Sequence, residues 1–345
     1  MELLVFDHPS LEGHRTSGSH PERPERVLAA RRAVERLPRG QVDRREAPRV
    51  SLEDARRAHD EAHVARIDAL PEAPVDLDAD TYAGPGTREA VFRAAGGAAA
   101  LGRALAQGAR RGFALARPPG HHAEPDRPMG FCLLNNVAIA ARASMDAGAR
   151  RVAIIDWDAH HGNGTQEIFS ADPDVLFVSL HQWPLYPGTG APGEVGVGRA
   201  AGTTVNLAMP PGSGRAEYEQ AFHRVVLPLL EEHGPDVILV SAGYDAHVRD
   251  PLAELRLDEP AYHALTREVA ALASRRDAGL GVVLEGGYDL DALEQSLHAT
   301  LSLLTGEHVS TPAGGRGPSA AAVQSIERTV AAHAPYWAAL EAARR

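Results

Sequence analysis

Val152-Ala153-Ile154-Ile155-Asp156-Trp157-Asp158-Ala159-His160-His161-Gly162-Asn163-Gly164-Thr165-Gln166 passes from an apolar run to two carboxylates, two imidazoles and two glycines. The first four residues have the length and β-branched content of an interior parallel strand. If the chain stays extended into the polar part, Asp156, Asp158 and His160 share one face, and Trp157 and Ala159 take the other. At ~3.3 Å rise per residue, Asp158 and His160 then have Cα atoms roughly 6 to 7 Å apart, near enough for both side chains to reach one ion. Aspartate plus neutral histidine is a donor set that suits Zn²⁺, with a third donor to be supplied from elsewhere in the chain.

Outward from this stretch, further short apolar runs read as buried strands: Leu3 to Phe6, Gly112 to Ala116, Val175 to Leu180, Val237 to Ala242 and Gly281 to Leu284. Helical periodicity lies between most of them, over Arg88 to Gln107, Asn136 to Ala147, Glu217 to Glu232, Pro260 to Ala273 and Leu290 to Leu304, with a terminal helix over Ala320 to Ala343. The alternation predicts an α/β fold with a mostly parallel central sheet flanked by helices on both faces. Ligands in such folds bind beyond the carboxyl ends of strands.

The 345 residues, 44% hydrophobic and 23% charged, are ample for a large core. No composition shift, linker or repeat divides them, so one domain is expected over residues 1–345, with a core of about 7–304 and a helical extension of about 310–345. The start lacks the basic and apolar regions of a secretory signal, and no run approaches membrane-spanning length. Cys132 is the only cysteine, which excludes an internal disulfide and makes a cytoplasmic location the expectation. Its apolar neighbours favour a small buried hydrophobe over a nucleophile. A net charge of −11 argues against nucleic acid as a partner and is compatible with a cationic substrate. Glu72, Asp76, Asp78 and Asp80 form an acidic stretch that reads first as a solvated loop.

The polar strand ends carry the candidate chemistry. Asp245, after Ser241-Ala242-Gly243-Tyr244, is the candidate third zinc ligand, although an aspartate there also suits a turn or a helix cap. His121-His122, behind Pro118-Pro119-Gly120, sit on an irregular loop suited to proton transfer. Tyr288 follows Gly286-Gly287, a flexible turn from which a phenol can reach a substrate oxygen. Phe131 and Tyr186, beside turn residues, are candidate walls of a substrate channel. His20, His59, His63, His181 and His247 read as structural.

In order along the chain, His20-Pro21-Glu22-Arg23-Pro24, Arg117 to Ala123, Gly130-Phe131-Cys132, Asp156 to Gln166, Ser179-Leu180-His181, Pro187 to Gly190, Ser241 to Asp245 and Glu285 to Leu290 resemble the zinc-dependent histone deacetylase family, within the arginase and deacetylase superfamily. The form with Asn163 looks like the class II branch and its bacterial relatives; class I members carry Asp there. The resemblance implies one catalytic Zn²⁺ on Asp158, His160 and Asp245. His122 would be general base and acid, His121 an electrostatic partner and Tyr288 the oxyanion donor. Asp156 would orient His121, and Asn163 would stand behind His122. A structural K⁺ would be held by Asp156, Asp158, His160, Ser179 and Leu180.

Departures from relatives narrow the reading. Gly162 and His247 stand where an arginase would carry extra carboxylates, so a mononuclear site is implied. Tyr288 is retained where some class IIa enzymes have His. Leu252 occupies the place where polyamine-selective relatives carry a Glu gatekeeper, and would line the channel. The expected function is zinc-dependent hydrolysis of acyl-lysine or a related acyl amine, with acetylpolyamine deacetylation and non-catalytic acyl-ligand binding as alternatives. The expected partners are a small-molecule or peptide substrate, no nucleic acid and no membrane; a homo-oligomer is compatible with the chain.

Overall fold

A computed structural model of the chain describes residues 2–15, 18, 20–306 and 317–343. Its strands are β1 (Leu3–Asp7), β2 (Val42–Glu46), β3 (Val75–Asp76), β4 (Tyr82–Ala83), β5 (Arg111–Ala114), β6 (Val152–Asp156), β7 (Val175–Gln182), β8 (Thr204–Met209), β9 (Val237–Ala242) and β10 (Gly279–Leu284). Eight of them form one sheet in the order β2-β1-β5-β10-β9-β6-β7-β8, and every pairing in it is parallel. The expected α/β architecture is therefore what the chain adopts. The strands from β5 to β8 are buried along their whole length, as a sheet covered by helices on both faces requires.

The topology decides where the chemistry goes. β5, β10, β9 and β6 are consecutive in the sheet, so the four polar strand ends singled out in the sequence emerge side by side. With neighbouring strands ~4.8 Å apart, the four span only about 14 Å. Register places Asp156 opposite Ser179 on one side and Ser241 on the other.

Two strands of this sheet escape a hydrophobic reading of the sequence. β2, Val-Asp-Arg-Arg-Glu, is a half-exposed edge strand that needs no apolar run. β8 at the other edge is fully buried because the helix Ala320–His333 lies against it. Thr329 Oγ1 donates to Asn206 O at 2.7 Å, His333 Nε2 bonds Thr204 O at 2.7 Å, and Ser325 Oγ reaches Ala208 O. Side chains four residues apart on the helix thus meet carbonyls two residues apart on the strand, closing an edge that would otherwise be open.

Two of the expected helices are interrupted, and the helices Glu25–Glu35, Leu52–Arg56, Glu61–Asp68 and Asn163–Phe169 were not expected. The run over Glu217 to Glu232 is interrupted by a wide π turn, Phe222–Val226, just before Pro228, whose missing N–H and ring bulk disrupt the regular ladder. The terminal helix stops at His333, ahead of Pro335, and resumes as Ala338–Ala343. The part of the expected extension at 310–316 lies outside the described residues.

Candidate active site

β6 ends at Asp156, earlier than the extended-chain reading required, and Trp157 to Gly162 bend. The bend, rather than strand alternation, brings the ligand candidates together. Asp158 Oδ1 accepts the His160 backbone N–H at 3.0 Å, and His160 Nδ1 lies 3.1 Å from the same oxygen and 3.0 Å from Asp245 Oδ2. Asp158, His160 and Asp245 each present one ligand atom, all within 4.8 Å of one another. Trp157 and Ala159 turn away into the core as expected, with Trp157 against Tyr262.

The remaining lone pairs of both carboxylates are fixed by backbone donors: Gly286 N–H to Asp158 Oδ2 at 2.9 Å and Ala159 N–H to Asp245 Oδ1 at 2.8 Å. Glycines give them room. A Cβ at Gly243 would stand 2.1 Å from Asp158 Oδ2, and one at Gly286 would stand 2.4 Å from Asp245 Oδ2. Burial pushes Asp245 up to about 7, and the charge of Asp158 adds to the push. Burial also disfavours a charge on His160, yet hydrogen bonds to Asp158 and Asp245 raise it to about 10. The pocket therefore demands positive charge at the point where two carboxylates and one imidazole converge.

His121 and His122 stand beside this cluster, their ring centroids 4.0 Å apart. Both Nδ1 atoms are tied from behind: His121 to Asp156 Oδ2 at 3.0 Å, His122 to Asn163 Oδ1 at 2.7 Å. Burial lowers both imidazoles. In His121 it is outweighed by Asp158 and Asp156, which raise the group to about 10. In His122 burial is reinforced by the neighbouring His121 and His160, which hold it well below the usual histidine range. Two adjacent imidazoles thus prefer opposite protonation states at neutral pH.

Tyr288 is 8% exposed, and its turn is pinned rather than loose. Asp250 Oδ2 accepts the N–H of Tyr288 at 2.7 Å and of Asp289 at 3.2 Å, while Arg26 Nε donates to Gly287 O at 2.7 Å. The Arg26 guanidinium also lies 5.0 Å from the Tyr288 ring centroid. Phe131 meets Tyr288 edge-on at 5.9 Å, and Tyr186 meets His122 edge-on at 5.2 Å, so both expected wall residues flank the cluster. Leu252 is half-buried beside the Asp250 carboxylate, which accepts its N–H at 3.0 Å. Asp156, Ser179 and Leu180 are fully buried behind the cluster, with Asp156 and Ser179 in register.

Sequence reasoning missed the residues that hold this arrangement. Glu285 Oε2 accepts the N–H of Gly120 at 2.6 Å and of His121 at 3.1 Å, and its Oε1 accepts from Ser241 at 3.0 Å. Glu22 takes Arg117 at 2.7 and 3.0 Å and Arg26 at 3.0 Å, all three fully buried. The available signal was charge in company that should be buried, as in Glu22 beside paired prolines and Glu285 at the end of an apolar strand. The acidic stretch is exposed at Glu72, Asp76 and Asp78, as a solvated loop should be. Its inner end nevertheless reaches the site: Thr81 Oγ1 accepts the Phe131 N–H at 3.2 Å, and burial pushes the Tyr186 phenol up, with the charges of Asp80 and Asp78 adding to the push.

Comparison with known proteins gives the family. The family model described as histone deacetylase domain matches residues 20–304. Histone deacetylase 14, chloroplastic, of Arabidopsis thaliana is 40% identical over 326 residues, covering 88% of this chain and 77% of that protein. A probable deacetylase of Archaeoglobus fulgidus is 40% identical over 293 residues (84% and 81%), and a histone deacetylase-like amidohydrolase of Pseudomonas aeruginosa is 41% identical over 285 (81% and 74%). The crystal structure of the HDA15 HD domain superposes with a TM-score of 0.91 at 35% identity, covering 99% of this chain and 96% of that one. With the match running through every strand end that builds the site, the resemblance read from the motifs holds: the chain belongs to the histone deacetylase family.

Proposed function

We propose that the protein is a zinc-dependent deacetylase that removes acetyl, or another acyl group, from acyl-lysine or a related acyl amine. The observation that carries this reading is the convergence of Asp158, His160 and Asp245 beside two imidazoles of opposite protonation preference and a buried phenol. One imidazole nitrogen and two carboxylate oxygens suit Zn²⁺ and leave a fourth position open. Bound there, zinc would supply the Lewis acidity that polarises an amide carbonyl and acidifies a water.

The chain's own groups supply the rest. His122, neutral and tied at Nδ1, offers Nε2 to take the proton of the attacking water and later return it to the leaving amine. His121, held as a cation between Asp156 and Asp158, stabilises negative charge beside it without giving up its proton. Tyr288, with its main chain clamped by Asp250 and Arg26, donates its hydroxyl hydrogen bond to the oxygen on which charge develops. Phe131 and Tyr186 wall the approach of a narrow apolar stem. Asp156, Asp158, His160, Ser179 and Leu180 would hold K⁺ behind the site, where Asp156 already sits as a buried carboxylate. The neutral Asn163 behind His122 supports the class II placement.

Acetylpolyamine hydrolysis is the second reading, favoured by the nearness of Asp78 and Asp80 to Tyr186 at the mouth. The lone buried Cys132 fits a reducing compartment, the cytoplasm being the simplest, and among the described residues no helix is long and apolar enough to cross a membrane. The test is acetate release from acetyl-lysine peptide, acetylspermidine and acetylputrescine by metal-analysed protein. Tyr288→Phe should lower turnover by at least ~100-fold at unchanged zinc content, the scale of losing an oxyanion donor. No acetate from any substrate with zinc present, or a Tyr288→Phe protein as active as the parent, defeats the proposal. Ligand affinity and cellular effect that survive without turnover would favour a binding role.

A further inference from the structure

Asn163 is one link in a longer chain of hydrogen bonds. Its Oδ1 lies 2.7 Å from His122 Nδ1, while its Nδ2 donates to Glu124 Oε1 at 2.8 Å and approaches Met129 Sδ at 3.2 Å. An amide side chain has a donor end and an acceptor end, and in isolation either can face His122. A carboxylate only accepts, so Glu124 selects the orientation in which the Asn163 NH₂ points at it. The acceptor end of Asn163 then has to face His122, whose Nδ1 must carry the hydrogen. Nε2 is left as the lone-pair nitrogen on the substrate side, the form a general base requires.

Glu124 is itself held for this task. Its N–H donates to Arg127 O at 3.0 Å, closing a tight turn. His59 Nε2 accepts the Asn135 N–H at 2.8 Å, so Nδ1 is the donor to Glu124 O, also at 2.8 Å. Asp60 N–H bonds the next carbonyl, Pro125 O, at 2.8 Å. The side chain stays half-buried, with its second oxygen 2.7 Å from the exposed Arg127. From the other side, Gly130 presses on the imidazole: a Cβ there would stand 2.4 Å from His122 Cδ2, so ring and amide are packed with little play.

We infer that Glu124 is a positioning residue for the reaction: through Asn163 it fixes the tautomer and orientation of His122. This rests on His122 as the base, and the experiment separates the two ideas. In zinc-loaded protein labelled with ¹⁵N-histidine, the His122 resonances, assigned by their loss in His122→Asn, should report the Nδ1–H tautomer, and Glu124→Ala should turn them toward a mixture. Turnover should follow. Kcat of Glu124→Ala falls roughly ten- to a hundredfold, the scale of one hydrogen bond to a charged group, with KM within about twofold. Arg127→Ala, which removes only a surface ion pair, stays within about twofold. Asn163→Asp alone sets two carboxylates in contact and should be poorer than Asn163→Asp combined with Glu124→Gln, in which the amide donor moves out to position 124 and His122 keeps its acceptor.

An unchanged His122 tautomer in Glu124→Ala overturns the inference, as does a loss confined to KM or explained by lost zinc. Asn163→Asp equally active with Glu124 or with glutamine at 124 overturns it as well. If His122→Asn keeps full activity, the deacetylase reading of His122 fails instead, and the tautomer measurement still decides the role of Glu124.

Discussion

Replacing Gly286 by alanine should weaken the protein's hold on its proposed zinc while leaving the fold intact. The new Cβ would stand 2.4 Å from Asp245 Oδ2, 2.5 Å from Asp158 Oδ2 and 2.9 Å from Asp245 Cγ. Ordinary contact begins near 3.4 Å, so both oxygens have to retreat by about 1 Å. Zinc sites tolerate ligand displacements of only ~0.2 Å. Neither carboxylate can relax freely, because Gly286 N–H and Ala159 N–H already fix their other lone pairs and the region is fully buried. Overpacking of this kind costs about 1–3 kcal/mol. If that falls on the metal-bound state, affinity drops by roughly 5- to 150-fold. The assay is competition for zinc against a chromophoric chelator, alongside thermal unfolding of the metal-free protein. Gly287→Ala is the control: its Cβ meets Leu293 Cδ1 and Tyr244 Cβ at 3.2 Å, and its φ is +125°. Its cost of about 1–3 kcal/mol should appear in stability and in the placement of Tyr288, at unchanged zinc affinity. Zinc affinity within twofold of the parent in a folded Gly286→Ala protein would refute the idea that the two carboxylates are held by shape.

Asp250→Asn should lower turnover about tenfold or more at constant zinc content, because Asp250 accepts on both oxygens, from Tyr288 and Asp289 on one and Leu252 on the other, and an amide accepts on only one; equal kcat would show that the Tyr288 turn stands without the clamp. Acid should destabilise the protein partly through His59, which burial, helped by His63, lowers to about 3. A group depressed from 6.5 contributes stability above pH 6.5 and loses it as pH falls toward 3, a loss of about 2 kcal/mol between pH 7 and pH 5. His59→Gln should flatten the pH dependence of urea unfolding by that amount, and parallel curves would refute it. Thr329→Val leaves the buried Asn206 carbonyl at the sheet edge without its donor and should cost about 1–3 kcal/mol in urea unfolding, against no change if the helix Ala320–His333 only covers the strand.

The candidate reactive groups were legible because a buried parallel sheet writes them plainly: an apolar run stops, and Asp, His or Tyr follows within a few residues. Asp158, His160, Asp245, His122 and Tyr288 were all singled out as candidates by that pattern; the structure brings the first three within 4.8 Å of one another, sets the His122 ring 6.0 Å from that of His160 and places Tyr288 where the charges of Asp245 and Asp158 act on it. The supporting residues were not, since their roles exist only across long separations. Glu285 meets Gly120 165 positions away, and Arg26 meets Gly287 261 positions away. No local periodicity encodes such contacts. The edges of the sheet were lost for opposite reasons: β2 is too exposed to need apolar residues, and β8 is buried by a helix that comes more than a hundred residues later.

The stretch that decides the fold also sets the difference between the two histidines. His121 and His122 share a loop and a burial, so nothing in their own dipeptide sets their protonation preferences apart. Asp158 and Asp156 raise His121, while His121 and His160 hold His122 down, and a charged partner stands behind the first ring and a neutral one behind the second; both partners, Asp156 and Asn163, belong to the single segment that leaves β6. Asp156 is the last residue of the strand and is charged; Asn163 begins the next helix, Asn163–Phe169, and is neutral. The same bend that swings Asp158 and His160 together determines the spacing between those two partners. Exchanging their chemistry by Asp156→Asn should therefore collapse the contrast: His121 would lose the hydrogen bond and one of the two carboxylate charges that hold it as a cation, while the cluster of Asp158, His160 and Asp245 would keep its own bonds.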